Sequence, residues 1–191
     1  MKRMNRIILL ALALTAGSTA TAQNMPEVKA LGRVVLHKGD TLYQFYTSQA
    51  PRKFRVNPRS LYSWHREDTI LVTEGSYAGK LLHGNYKVFY PNNNLREDGS
   101  YRYGLKEGDW KTWYPDGRLQ STTAWKNGHL NGAFARYDSS GRRLSEGSHR
   151  NGQVHGKLTE YLPDGKKRET YYEEGVKVEG EKAKGAGQGG Q

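Results

Sequence analysis

The side chains able to react are scattered along this sequence, whereas those able to bind recur at fixed intervals. No cysteine is present, which removes thiol catalysis, disulfides and cysteine zinc sites. Of the six histidines, His83 and His155 each precede a glycine but stand too far apart to share one metal, and read as turn positions. The acidic pairs Glu97-Asp98 and Glu173-Glu174 adjoin turns or alternate across a strand, so neither pair converges on a cleft. Neither H-E-x-x-H, G-x-S-x-G nor a phosphate-binding loop occurs. Gly185 to Gly190 fits G-x-G-x-x-G only inside a low-complexity tail, with no strand before it and no helix after it. What does recur is an aromatic column, Phe89, Trp113, Tyr137 and Tyr161, with Lys87, Lys111, Arg102, Lys126 and Arg150 around it. Rings stack on sugars, peptides or lipid interfaces, and the cations attract anionic surfaces. Cross-strand packing would account for the same rings, and a solvated sheet face for the same charges.

The positions of these residues follow a 24-residue period over 61–180. Gly84, Gly108, Gly132, Gly156 and Gly180 mark it, and Gly75, Gly99 and Gly147 mark it a second time. Such a short fixed period signals a repeat array whose units contact mainly their neighbours. Pro115-Asp-Gly117 and Pro163-Asp-Gly165 are turn signals, because proline presets φ, aspartate bonds locally and glycine accepts positive φ. Asn127-Gly128 and Asn151-Gly152 supply the reversals between units. The runs between are rich in aromatic and β-branched residues and too often broken for helices, so each unit is expected to be a β-hairpin.

A four-residue loop between Tyr114 and Leu119 would place Trp110 opposite Thr123. Shifted by the period, it sets Tyr62 against Gly75, Tyr86 against Gly99 and Phe134 against Gly147, each aromatic covering a strand glycine. Alternation then sorts Tyr86, Val88, Tyr90, Leu95, Tyr101, Trp110, Tyr114, Leu119 and Trp125 onto a packing face. The other face receives the aromatic column, the basic residues, Arg96 and Arg168.

The run Gly-x-aromatic-x-x-aromatic-x-Pro-Asp-Gly, with the Asn-Gly-x-x-x-Gly link at 128–132 and 152–156, resembles MORN-type repeats. It is most similar to the MORN repeat variant of YwqK-like antitoxin proteins. The resemblance implies an all-β, elongated, single-layer antiparallel sheet of stacked hairpins, used for protein contact and in some members for phospholipid binding. It implies no catalytic residues and no cofactor.

Residues 1–22 read as a signal peptide: basic Lys2, Arg3 and Arg6, apolar Ile7 to Leu14, and Ala20-Thr-Ala22 before the cut. Export to the periplasm or beyond follows as the expectation. Residues 23–60 are expected to form a lead-in and a hairpin cap, 61–180 about five units, and 181–191 a tail too poor in apolar residues to fold. The chain carries a formal net charge of +11, and after export the anions it meets are envelope polymers and lipid headgroups rather than nucleic acid. The function expected is a non-catalytic, exported binding or scaffold protein that takes a protein partner or a second copy of itself in a homodimer. A toxin-neutralising antitoxin or immunity-like role, or binding of anionic envelope lipid or glycan, are the alternatives.

Overall fold

A computed structural model describes residues 31–179. Residues 1–22, read from the sequence as a signal peptide, the expected lead-in before Leu31, Gly180 and the expected tail lie outside the described residues. The described chain forms one open antiparallel sheet of fourteen strands. They are β1 Gly32–Lys38, β2 Thr41–Ser48, β3 Leu61–Arg66, β4 Thr69–Glu74, β5 Lys80–Phe89, β6 Leu95–Arg102 and β7 Leu105–Trp113. Then come β8 Leu119–Lys126, β9 His129–Tyr137, β10 Arg143–Arg150, β11 Gln153–Val154, β12 Gly156–Tyr161, β13 Lys167–Glu173 and β14 Val176–Val178.

From β5 onward each strand pairs with the next, as stacked hairpins require, save that the two-residue β11 pairs only with β10, which goes on to pair with β12; the start of the array is different. The β1–β2 hairpin pairs directly with β5, through Leu42 to Phe89 and Ser48 to Leu81. The β3–β4 hairpin branches aside and touches β5 only through Trp64 and His65, opposite Leu81 and Lys80. Tyr62 consequently faces Thr73 rather than Gly75. Gly75 serves a different contact, its N–H donating to the Ser60 carbonyl at 2.9 Å. A Cβ there would lie 2.5 Å from the Pro58 carbonyl oxygen. The degenerate first unit departs from the repeat register because its turn, Glu67-Asp68, has only two residues and no bulge follows it.

The other pairings, Tyr86–Gly99, Trp110–Thr123 and Phe134–Gly147, are present. They arise by another route than a four-residue loop. The Tyr114 N–H bonds the Arg118 carbonyl at 2.8 Å, leaving a three-residue loop, Pro115 to Gly117. One residue of the returning strand, Gln120, is then bulged out, since Trp113 pairs with Leu119 but Thr112 with Ser121. Arg96 and Leu144 are bulged in the same way in the neighbouring hairpins. A shorter loop plus one bulge gives the same register beyond the bulge and the opposite side chain facing before it. Leu95 and Leu119 therefore pair with Phe89 and Trp113 and share their face, not the face of Tyr90 and Tyr114. Arg96 is drawn towards the packing face, its guanidinium 6.0 Å from the Tyr90 ring.

The last hairpin, β12–β13, has no bulge: Tyr161 pairs with Lys167 and Gly156 with Tyr172 in unbroken register. That single missing residue explains why Gly175 falls one position short of the 24-residue period. It also puts Arg168 opposite Glu160, on the face away from Tyr161, with Nε 2.9 Å from Oε2.

Between hairpins the chain reverses in two residues of positive φ, as at Asn127 (50°) and Gly128 (81°), the geometry of a type I′ turn. Four residues later Gly108 (70°) and Gly132 (115°) again take positive φ, inside strands, where three residues oppose one across the ladder. The period-marking glycines thus seed strand bulges.

The packing face buries Leu36, Phe45, Leu82, Tyr86, Val88, Tyr101 and Trp110 as one cluster, with Val34, Tyr43, Ile70 and Trp125 against it. A second cluster, Tyr62, Trp64 and Leu81, gathers Phe54, Val56, Tyr77, Tyr103 and Leu105 at the cap. Gly99 shows how close the packing is, because a Cβ there would sit 2.3 Å from the buried Trp110 ring, closer than any real carbon contact. Tyr86 is its ladder partner, but Trp110 of the following hairpin is the ring that covers it. Gly99→Ala should therefore cost about 1–3 kcal/mol through overpacking. Gly108→Ala, with open space around it but φ of 70°, should cost about 1–2 kcal/mol of backbone strain. Urea unfolding compares the two; a Gly99→Ala variant as stable as the parent would contradict this packing.

Candidate functional site

Paired residues in a ladder share a face, so the register traces rows across the sheet. One unbroken row on the face opposite Trp110 runs Gln44, Lys87, Asp98, Lys111, Thr122, Ala135, Glu146, Thr159, Glu169. The next row towards the Pro-Asp-Gly edge holds the four column aromatics and their partners: Leu42–Phe89–Leu95, Trp113–Leu119, Tyr137–Arg143 and Tyr161–Lys167. Arg102, Lys126 and Arg150 lie on the same face at the link edge by alternation. All nine residues singled out in the sequence for binding therefore lie on one face, in three rows.

The backbone beneath the aromatic row is fixed from the far side of the sheet. The Tyr90 hydroxyl donates to the Trp113 carbonyl at 2.8 Å, and the Tyr114 hydroxyl to the Tyr137 carbonyl at 2.9 Å. Asp138 occupies the corresponding place one unit on, and its carboxylate instead closes its own turn. It accepts from the N–H groups of Ser140 and Arg142 at 2.9 Å each, and Ser140 above all holds it well below the usual carboxylate range. Asn92 and Asn94 both donate to the Pro115 carbonyl at 2.8 Å, locking neighbouring turns together.

The two halves of the aromatic row differ. In the C-terminal half the side chains engage one another. The Tyr161 hydroxyl donates to Glu146 at 2.6 Å, and Arg143 bonds both Glu146 and the Tyr137 hydroxyl. Arg143 also lies 5.5 Å from the Tyr137 ring centre, and Lys167 lies 5.2 Å from that of Tyr161. The Tyr161 hydroxyl, with Arg143, lowers the Glu146 pKa, and Glu146 in turn raises that of Tyr161. In the N-terminal half Leu42, Phe89, Leu95, Trp113 and Leu119 form an apolar strip across five strands, and none of them belongs to either buried cluster. No two rings of the four-residue column are in contact with each other among the described residues. Mutual aromatic packing therefore does not account for the column. Lys87 faces Asp98 at 3.9 Å, whereas Lys111, Arg102, Lys126 and Arg150 take part in no ion pair among the described residues.

Leu42, Leu95 and Leu119 were not among the sequence candidates. Leu95 and Leu119 stand one period apart, but the bulge that turns them onto this face leaves no sequence signal of its own, and Leu42 reaches the strip only because β2 bypasses β3–β4.

The packing face offers no comparable strip. Its Lys106 ammonium sits 3.7 Å above the Trp110 ring and 3.3 Å from Glu97, so ring and cation satisfy each other. A cleft of about 210 Å3 opens between Leu36, Lys38, Tyr43, Ile70 and Tyr86. Burial pushes the Tyr86 hydroxyl well above the ordinary phenol range and that of Tyr101 up to about 12. A depression of about 340 Å3 is bordered by Tyr114, Gln120, Arg136 and Leu144. No three histidine, aspartate or glutamate side chains gather as metal ligands among the described residues. His83 and His155 instead accept backbone N–H groups at Nδ1, from Tyr103 at 3.2 Å and Glu174 at 3.4 Å.

An open sheet of 24-residue hairpins, each bonded to its neighbours, is the architecture of a repeat protein. The model of the MORN repeat variant family matches residues 82–103 and 106–127. These are the β5–β6 and β7–β8 hairpins, which carry most of the strip. The later hairpins lie outside the match yet keep its architecture. No curated protein matches the chain.

Burial lowers the pKa of His65, His83 and His149. Each folded-state value lies below the unfolded one, near 6.5, so the unfolded chain takes up protons first. Stability is complete above about pH 6.5 and declines as pH falls through the depressed values. His83→Asn, whose Oδ1 can replace Nδ1 as acceptor, should flatten this decline. Urea midpoints measured between about pH 7.5 and about pH 5.5 test it, and an unchanged slope would remove His83 from the account.

Proposed function

We propose that this protein is a non-catalytic, exported binding module that captures a protein partner on the strip Leu42–Phe89–Leu95–Trp113–Leu119, with Lys87 and Lys111 alongside. The observation that carries the reading is that strip: five apolar side chains in one row, half-buried, underpinned at Trp113 by the Tyr90 hydroxyl, and outside both cores. A large aromatic anchor such as Trp113, ringed by apolar neighbours that exclude water, is what a hot spot is built from, and Lys111 beside it has no ion-pair partner among the described residues. The match to MORN repeats, which generally serve as binding modules, supports a role without chemistry of its own. An antitoxin-like role is the narrower form of this reading, in which the partner is a toxin. The free cations Arg102, Lys126 and Arg150, at the other edge of the face, favour a second, weaker engagement with anionic envelope lipid or glycan.

Pull-down from envelope extract at low and high salt tests the assignment. The wild type should retain a stoichiometric protein at high salt, and Trp113→Glu should lose it. Gln120→Glu, on the packing face, should not. Equal retention by Trp113→Glu would remove the strip from the docking surface, and capture of lipid or glycan alone, only at low salt, would move the role to the basic edge.

A further inference from the structure

Each hairpin contributes two strands, and strands lie about 4.7–4.9 Å apart, so equivalent residues of successive units are roughly 9.6 Å apart. Phe89, Trp113, Tyr137 and Tyr161 are therefore four rings at that spacing, one per unit, without ring-to-ring contact between them. Leu95 and Leu119 floor the gaps between the first three. Lys87 and Lys111 keep the same spacing in the adjacent row, separated by Asp98.

A ligand lying on the strip and running along this row must repeat its own contacts at the same interval. A β-strand returns a side chain to one face every two residues, about 6.7 Å, which runs out of step at once. An α-helix advances about 5.4 Å per turn, so two turns overshoot by roughly 1.2 Å in every unit. Polyproline II has three residues per turn at about 3.1 Å each, hence about 9.3 Å, and drifts by only a few tenths of an ångström per unit. It is also the conformation that aromatic-lined grooves recognise, because its backbone is already ordered before binding.

We propose that the occupant of the strip is a proline-rich segment of a partner protein in the polyproline II conformation, with an acidic residue once per turn. The assignment rests on the strip being the docking surface. Prolines of successive turns sit over Leu95 and Leu119 between the rings, and the acidic residues meet Lys111 and, in competition with Asp98, Lys87. The segment crosses the strands rather than extending the sheet.

Fluorescence anisotropy with labelled peptides of about twelve residues, roughly 37 Å long in this conformation, tests the proposal. A Pro-Pro-Glu repeat should bind, and a Gly-Ser-Glu repeat of equal charge should not. Trp113→Ala and the exposed Lys111→Glu should each weaken binding of the Pro-Pro-Glu peptide by about tenfold, the scale of losing one hot-spot anchor. A Pro-Pro-Lys repeat should fail. Equal binding of the glycine and proline peptides would overturn the proposal, since charge alone would then suffice. So would absence of binding by Pro-Pro-Glu at millimolar concentration. If that peptide fails while Trp113→Glu still abolishes capture of the envelope partner, the strip remains the docking surface and only its occupant changes. If both fail, the docking surface falls too.

Discussion

Everything in this sheet depends on reversing the chain in two residues between hairpins. The reversal needs positive φ at both central positions, which Tyr103-Gly104, Asn127-Gly128, Asn151-Gly152 and Glu174-Gly175 all adopt. The glycine N–H then points back at the preceding link and donates to a carbonyl there: Gly104 to Leu82, Gly128 to Lys106, Gly152 to Leu130, Gly175 to Val154, all within 2.7–2.9 Å. This hydrogen bond is what makes a hairpin part of an array, since it joins the start of one unit to the end of it and fixes where the next begins. The cost of left-handed backbone at Tyr103 and Glu174, where no asparagine helps, is offset by the histidine acceptors His83 and His155.

Burial is not shared evenly along the array. Trp110 is 2% exposed and rests on Gly99, Tyr86 and Tyr101, whereas after Phe134 and Ala135 the one buried side chain among the described residues is Thr159. In a repeat protein stability is close to a sum of unit and neighbour contributions, so the N-terminal hairpins and cap form the stable block and the C-terminal ones are held more by ladder bonds and ion pairs. The apolar strip sits on the reverse of that stable block. Its rings are held at fixed spacing because the face behind them is the well-packed one, which is how a single-layer sheet presents a rigid surface.

Much of this was legible in the sequence, because glycine and turn residues at a fixed period constrain backbone directly. The hairpins, the antiparallel pairing, Tyr86–Gly99 and Phe134–Gly147, and the common face of Phe89, Trp113, Tyr137 and Tyr161 all follow from period and alternation. What could not be read was where a residue is bulged: Arg96, Gln120 and Leu144 share no side-chain type, and a three-residue loop with a bulge is arithmetically equal to a four-residue loop. That degeneracy misplaced Leu95 and Leu119. Nor does periodicity predict the branch at β3–β4, where Pro58 packs on Gly75 and long-range pairing of β2 with β5 overrides the stacking of neighbours.

The thinning of the core also gives the molecule a mechanical direction. Tension applied at the C-terminal end meets β14 first, three residues long with Val176 69% exposed, then hairpins joined chiefly by ladder bonds that are loaded one after another. They would peel singly, each releasing a short length of chain, until the force reached Trp110 clamped between Gly99 and the Lys106 ammonium. Pulled from that end, the protein would yield in steps while the block around Trp110 held.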